Sequence, residues 1–397
     1  MLRRIYRKFR VSVLHNLIPC SREEIFSNGR DGVEVVGFFK SASGIGESAR
    51  LCARQLQDNG IKVRCTSVEK AFLKPEELAW AFENTCRQEE VGCRIIHLNP
   101  PMMPPAIFKT GLRNYMNVYN VAYWAWELDK IPMEWEKAFR YVNAVFCPSD
   151  FTSETIRKYT DKPVMTVHHP VRAGEFDPGM RERLGIGDDV FLVSSLFSFG
   201  SALERKNPAS VIRSFASVFG GNEKACLILK SNHGGDSKEK ERLLADIASY
   251  PNIRLIDDLW EKEMVAGLLK TSDVFMSLHR SEGFGLPIAE ALLLGTPVIV
   301  TNWSGNTDFC REENAFLVDA DMVPVQSDFP EFASMTDAKW AAPEEKQAEE
   351  ILSHIYKNRR AVKEKAQKSA AEAEKFFREP GYLNALTCLR QAVTGRL

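Results

Sequence analysis

The feature that most restricts this chain is an alternation of short apolar runs with amphipathic stretches of helical period, and it occurs twice. Residues 33–39 read as a buried strand, 47–59 as a helix stopped by Gly60, and 61–68 as a second strand. Further strands are expected at 94–98, 119–123, 144–147 and 164–167, with helices at 135–141 and 149–159, the latter opened by Ser149 as N-cap. From residue 191 the pattern restarts, with strands at 191–197, 225–230, 253–256, 274–277 and 297–301 and helices at 208–219, 262–270 and 287–294. A stretch rich in Gly and Pro, 170–189, lies between the two series and reads as a hinge. Such alternation buries both faces of its strands by forming parallel sheets with helices on each side. The predicted fold class is therefore α/β, with two Rossmann-like doubly wound domains at 31–172 and 173–377. A basic segment, 1–30, precedes them. A charged helical region at 344–377 and a last helix within 378–397 complete the chain.

The 397 residues are 44% apolar, enough for two separate cores, and the formal net charge of −1 gives no sign of a nucleic-acid partner. Nine cysteines, an odd number with no C-x-x-C pair, suit a reducing, cytoplasmic location better than a disulfide framework. No apolar run reaches the roughly 18 to 20 residues that cross a bilayer. Within 1–18, Arg3, Arg4, Arg7, Lys8 and Arg10 accompany Leu2, Ile5, Tyr6, Phe9 and Val13 at helical spacing. Such a helix can lie on an anionic membrane surface, making the protein peripheral, or pack on the first domain with its charged face in water. A secretory signal would need a longer apolar segment and a small-residue cleavage site.

The strongest chemical signal follows Val274-Phe275-Met276-Ser277. Gly283 and Gly285 flank Phe284, Pro287 stands where a first helical residue belongs, and Gly295 is placed to end the helix. Gly283, Phe284, Gly285 and Leu286 then form a tight turn at a helix N-terminus, whose free N–H groups and dipole suit a phosphate or sugar hydroxyls. Two carboxylates, Glu282 and Glu290, bracket the turn. A glycosidase-like pair is one reading, but hydroxyl-accepting carboxylates around a phosphate turn explain both residues better. The bland alternative leaves Glu290 to complement the helix N-terminus and the glycines to serve the turn alone.

The segment from Ser281 to Glu290 resembles the E-x7-E motif of retaining GT-B glycosyltransferases in the large family 4 group, and Gly295-Thr296-Pro297-Val298-Ile299 matches its usual continuation. The resemblance implies that the two domains face each other across a cleft and that the last helix crosses back to the first domain. It implies that Glu282 contacts the transferred sugar, that Phe284, Gly285 and Leu286 offer N–H groups to sugar or phosphate, and that Glu290 binds the ribose. Glu204-Arg205-Lys206-Asn207-Pro208 opens the first helix of the second domain, where similar enzymes hold the donor diphosphate with a basic pair. Two cations neutralise a departing diphosphate without a metal. Many relatives place the arginine several residues before the lysine. Here that earlier position falls on Phe199, Gly200 or Ser201, and Arg205 adjoins Lys206. By the same resemblance, Asp257, Asp258 and Leu259 border the nucleotide base, with Leu259 packing on it, and the loop from Trp303 to Asp308, including Asn306, borders the sugar.

In the first domain, Ser43-Gly44-Ile45-Gly46-Glu47 follows the first strand and forms a partial G-x-G-x-x-G, with Ala49 at the third position. Glu69 ends the second strand, near where a ribose-binding acid would stand. Read alone, this half suits an NAD(P)-dependent dehydrogenase. The resemblance instead sets Gly44 and Gly46 facing the donor phosphates. Tyr123-Trp124-Ala125-Trp126-Glu127-Leu128 ends another strand, where many similar enzymes carry a histidine. Trp126 and Glu127 are the candidates there for sugar or acceptor contacts, against the commoner fate of tryptophan as core. His97 reads as structural, and His168 and His169 as contacts between domains. Asp319-Ala320-Asp321 matches a metal-binding D-x-D by chance spacing in a loop, and no cluster has metal-site spacing.

The resulting expectation is a metal-independent, retaining transferase with no resident cofactor. It would move a hexose-type sugar from a UDP- or GDP-linked donor to a hydroxyl of a glycan or lipid-linked acceptor in envelope polysaccharide or lipopolysaccharide synthesis. Glu282, Lys206 and Arg205 would carry the chemistry. Gly44, Gly46, Ser201, Leu259, Gly283, Phe284, Gly285, Leu286 and Glu290 would bind the donor. A non-catalytic sugar-nucleotide-binding scaffold is the alternative, ahead of the dehydrogenase.

Overall fold

A computed structural model describes residues 17–22 and 30–394. The basic segment expected at 1–18 lies, except for its last two residues, outside the described residues. The chain forms two compact units. The first comprises Met1–Trp126, Lys130–Pro170 and Glu379–Leu397, and the second Glu127–Asp129 and Val171–Arg378.

The first unit is built on a six-stranded parallel sheet of β1 (Gly32–Gly37), β2 (Val63–Ser67), β3 (Val91–Ile96), β4 (Tyr119–Tyr123), β5 (Ala144–Cys147) and β6 (Val164–Thr166), in the order β2-β1-β3-β4-β5-β6. One core contains Val33, Val35, Ile95, Val121 and Phe146 from the strands, and Ala49, Cys52 and Leu56 from the helix Gly44–Asp58. Tyr382, Ala385, Leu386 and Leu389 of the last helix, Gly381–Thr394, complete it. Gln55 fixes that helix at both ends of its amide, donating to the Glu379 carbonyl at 2.8 Å and accepting the Tyr382 N–H at 3.1 Å. Ser149 caps the helix Asp150–Arg157 by accepting the Thr152 N–H, as its position before an apolar-periodic run predicts. Helix expected over 135–141 is a short α-turn, Met133–Glu136, running into a 3-10 turn, Lys137–Tyr141.

The second unit repeats the plan with β7 (Phe191–Leu196), β8 (Ala225–Ser231), β9 (Ile253–Asp257), β10 (Val274–Ser277), β11 (Val298–Thr301) and β12 (Phe316–Val318), in the order β12-β11-β10-β7-β8-β9. Its core gathers Phe191, Val193, Leu227, Leu229, Met276 and Ile299 with Val211 and Phe215 of the helix Pro208–Phe219 and Leu352 and Ile355 of Glu345–Lys357. A hairpin of β13 (Ala320–Pro324) and β14 (Lys339–Pro343) also belongs to this unit. Asp321, expected in a loop, is therefore a strand residue, paired with Ala342. All nine cysteines are free thiols. Among the described residues no helix is long and apolar enough to cross a membrane.

Candidate functional site

Strands β7 and β10 pair in parallel, Val193 opposite Val274 and Ser194 opposite Phe275, while β8 extends from the other edge of β7. The strand order reverses there, and doubly wound sheets take ligands outside the carboxyl ends of strands at such a point. The chain leaving β7 reaches the four-residue helix Leu203–Lys206. The chain leaving β10 passes His279 and Arg280 to Ser281 and Glu282. The Arg280 N–H donates to the Arg205 carbonyl at 2.8 Å, fastening the two segments together.

Glu282, Lys206, Arg205 and Glu127 meet at this point. Lys206 Nζ lies 2.5 Å from Glu282 Oε1, and Arg205 Nη1 3.2 Å from Glu282 Oε2. The Arg205 guanidinium is buried and folds back along its own loop. It donates to the Ser281 carbonyl at 2.8 Å and to Ser201 Oγ at 2.9 Å, and lies 3.5 Å from the Glu127 carboxylate. The Ser281 hydroxyl in turn donates to the Glu127 carbonyl. Two cations and two carboxylates thus form one cluster, the arrangement that buried charges require. Burial would raise the Glu282 carboxyl, but Lys206 and then Arg205 outweigh it and hold the group at about 2. Burial pushes the Glu127 carboxyl up against the pull of Arg205, with the Glu282 charge adding to the rise. Burial also pulls Lys206 below the ordinary lysine value despite Glu282. Lys206 keeps 18% of its side-chain surface exposed against 5% for Arg205, so it is the less enclosed of the two cations.

The backbone of Glu282 is held as firmly as its carboxylate. Its N–H donates to Ser304 Oγ at 2.8 Å, and its carbonyl accepts the Gly305 N–H at 2.9 Å. Ser304 has φ +73°, a region L-residues rarely occupy. Gly305 approaches so closely that a Cβ there would stand 2.3 Å from the Gly283 carbonyl oxygen. Beyond Glu282 the turn delivers the expected helix, Leu286–Leu293, with Pro287 at its second rather than first position. Gly285, at φ +97°, precedes it, and Gly295, at φ +69°, follows its end. The Phe284 ring is buried against Phe309 and Phe377, with centroids at 4.9 and 6.2 Å. That anchors the turn and leaves main-chain groups as its contribution at the helix N-terminus, where a helix has donors to spare. Glu290 is half-buried one turn further on.

The remaining candidates separate clearly. Leu259, just beyond β9, is 42% exposed on a loop held from below by Lys230, which donates to the Asp258 carbonyl at 2.5 Å and lies over the Trp260 ring. Asn306 is fully buried, and its amide is spent inside the loop, donating to the Thr301 carbonyl at 3.0 Å and accepting from His279 at 2.9 Å. It shapes the loop where a sugar contact was expected. In the first unit, Trp126 has no exposed ring face. It packs on Trp135 at 4.5 Å and donates its indole N–H to the Lys130 carbonyl at 2.7 Å. The aromatic platform expected there is core packing instead, because the indole finds both apolar contact and a hydrogen-bond acceptor inside. His97 is likewise buried, bonded to Ser48 at 2.7 Å and stacked on Tyr123.

Gly44 and Gly46 do different things. A Cβ on Gly44 would meet nothing within 4 Å, whereas one on Gly46 would stand 2.5 Å from the Phe38 carbonyl oxygen. The Gly46 N–H is taken by Ser43, the N-cap of Gly44–Asp58. Gly44 is thus the glycine open to a ligand, and Gly46 the one the turn requires. Glu69 is buried, with its oxygens on the Lys40 N–H, at 2.6 Å, and the Ser67 hydroxyl. It has little capacity left for a ribose.

Sequence reasoning did not find His279, and it placed Ser304 and Gly305 only as members of the loop Trp303–Asp308 expected to border the sugar. Gly305 had a signal in the Trp303-Ser304-Gly305 turn after a strand, but nothing in the string marked which side the turn would press against.

Residues 193–323 match the family model described as glycosyl transferases group 1, a span that includes Arg205, Lys206, Glu282 and Glu290. No curated protein matches the chain by sequence. Among solved structures, HepE from Anabaena in complex with UDP-glucose superposes with a TM-score of 0.63 at 13% identity, covering 92% of this chain and 98% of that one. Sucrose-phosphate synthase from Thermosynechococcus elongatus gives 0.65 at 13% identity, over 92% and 100%. WaaG, a glycosyltransferase involved in lipopolysaccharide biosynthesis, gives 0.54 at 13% identity, over 91% and 100%. At such identities the likeness is one of fold: mixed α/β with two parallel six-stranded sheets, as in GT-B glycosyltransferases.

Proposed function

We propose, from the match of the second unit to group 1 glycosyl transferases, that this protein transfers a hexose from a UDP- or GDP-linked donor to an acceptor hydroxyl. The observation that carries the reading is the Lys206–Glu282–Arg205 cluster beside the N-terminus of Leu286–Leu293. Without donor, Lys206 is neutralised by Glu282. A bound diphosphate competes for that ammonium, and the released carboxylate is then available to accept hydrogen bonds from the donor sugar. Lys206 and the helix N-terminus stabilise the charge that grows on the leaving diphosphate, without a metal. Arg205, enclosed by Ser201, Ser281, Glu127 and Glu282, acts mainly by holding both carboxylates in place. Leu259 and Glu290 are proposed donor contacts, to base and ribose. Retention of configuration rests on the resemblance of Glu282 and Glu290 to the E-x7-E pair.

The acceptor proposed is a glycan or lipid-linked intermediate of envelope polysaccharide or lipopolysaccharide synthesis, with residues 1–18 against an anionic membrane surface on the cytoplasmic side. The dehydrogenase reading is disfavoured by Glu69, whose oxygens are already engaged. A thermal-shift screen of UDP, GDP, ADP and NADH, followed by calorimetry, tests the proposal. Stabilisation by a nucleoside diphosphate, weakened in Lys206→Ala, supports it. Stabilisation by NADH alone overturns it.

A further inference from the structure

We infer that His279 is a positioning residue for Glu282, acting as a neutral imidazole with its proton on Nε2. His279 is fully buried two residues beyond β10. Its Nε2 lies 2.9 Å from Asn306 Oδ1 and 3.4 Å from the Trp303 carbonyl oxygen. Both are acceptors, because the Asn306 amide is oriented by its own donation from Nδ2 to the Thr301 carbonyl. Nε2 must therefore donate. Nδ1, 3.1 Å from Ser277 Oγ, is left to accept that hydroxyl's proton. Full burial holds the imidazole below its ordinary value and so neutral, and in a neutral ring a proton on Nε2 leaves Nδ1 as the acceptor.

The ring joins the end of β10 to the loop Trp303–Asn306, and that loop supplies both backbone partners of Glu282: the Ser304 hydroxyl for its N–H and the Gly305 N–H for its carbonyl. The chain of contacts runs from Ser277 through the imidazole and Asn306 to the two residues that set where the Glu282 carboxylate stands. Ser304 holds its positive φ inside this network. Removing the ring's donor leaves Asn306 Oδ1 buried without its partner and loosens the loop at the point that locates the carboxylate. Lys206 meets Glu282 through its side chain, and its segment is tied to the chain leaving β10 by the Arg280 N–H to Arg205 carbonyl and Asn207 to Leu278 carbonyl bonds, neither of which uses the imidazole, so phosphate binding stays while sugar placement suffers. The inference rests on the reading of Glu282 as the residue that orients the donor sugar.

Two variants and one spectroscopic measurement test it. His279→Met keeps apolar volume and removes the donor, whereas His279→Gln returns an amide N–H close to the Nε2 position. In His279→Met the nucleoside diphosphate Kd should stay within about 2-fold of wild type while kcat for donor turnover falls about 10-fold or more, and Gln should bring kcat back to within about 3-fold. Wild-type kcat in the Met variant, a parallel loss of affinity and turnover, or a folded Gln variant no better than Met would each overturn the inference. The tautomer is read separately, by 15N NMR of the imidazole in ligand-free wild type, with amide exchange of Glu282 and Gly305 compared between wild type and His279→Met. A proton on Nε2 and faster exchange in the variant are expected. A proton on Nδ1, an imidazolium, or unchanged exchange contradicts it. These readings need no turnover, so they stand even where no sugar nucleotide is consumed and the proposed function itself fails.

Discussion

Glu282→Gln separates the two roles that the cluster assigns to one carboxylate. The change is isosteric and removes a single negative charge placed 2.5 Å from Lys206 and 3.2 Å from Arg205. The cations are left with Glu127 and, for Arg205, Glu331, and breaking a largely buried pair in this way costs about 3 kcal/mol. The cost depends on pH with a definite sign. The Glu282 pKa is lowered from 4.5 to about 2 on folding, so the stabilisation is present above the ordinary carboxylate range and is lost as pH falls through about 2. The stability gap between wild type and variant should therefore be full at neutral pH and shrink between pH 4.5 and pH 2. Phosphate binding moves the opposite way. A unit charge removed about 6 Å from a bound phosphate is worth about 3 kcal/mol at an effective dielectric of about 20, and solvent at the open side of Lys206 cuts that by about half. Glu282→Gln should thus bind nucleoside diphosphate roughly tenfold more tightly, although it is less stable alone and turns over donor about 100-fold more slowly. Calorimetry with the cognate diphosphate and chemical denaturation across pH measure both effects. A folded variant that binds diphosphate tenfold more weakly would refute the idea that carboxylate and phosphate compete for Lys206.

Three further outcomes follow from the packing. Gly305→Ala places a methyl 2.3 Å from the Gly283 carbonyl oxygen and should lower stability by about 2 kcal/mol or more, whereas Gly44→Ala, with open space around it, should cost under about 1 kcal/mol; thermal denaturation separates them. Trp126→Ala should cost about 3 to 5 kcal/mol as a core truncation, and an unchanged melting temperature would return the indole to the surface. Leu259→Ala should leave stability within about 0.5 kcal/mol, as exposed positions do, while weakening nucleotide binding; equal affinity by calorimetry would remove Leu259 from the site.

The parts legible in the sequence were those with a local physical cause. The turn from Gly283 to Leu286 could be read because glycine, proline and a C-terminal glycine each answer a backbone requirement within one helix. The sheets could be read because alternation of period constrains topology. Four things could not be read. The path of Arg205 is set by contacts with Ser201, Ser281 and Glu127, of which two come from distant stretches of chain. The burial of Trp126 depends on Trp135 and Lys130 receiving its ring and its N–H, and a tryptophan at a strand end reads the same whether it faces water or the interior. His279 looks like an isolated histidine until Asn306, 27 residues away, supplies its acceptor. The hairpin of β13 and β14 escaped for a similar reason, since its two strands are separated by a long irregular stretch with no turn signature of a tight hairpin.

The most direct test of the account is release of nucleoside diphosphate from UDP- and GDP-linked hexoses in excess chelator, for wild type and Lys206→Ala. The account predicts that wild type consumes one of these donors without added metal, and that the variant loses about 100-fold or more in kcat/KM as its leaving-group charge goes unneutralised. Turnover that vanishes with chelator and returns with a divalent cation, or a Lys206→Ala variant as active as wild type, would contradict it.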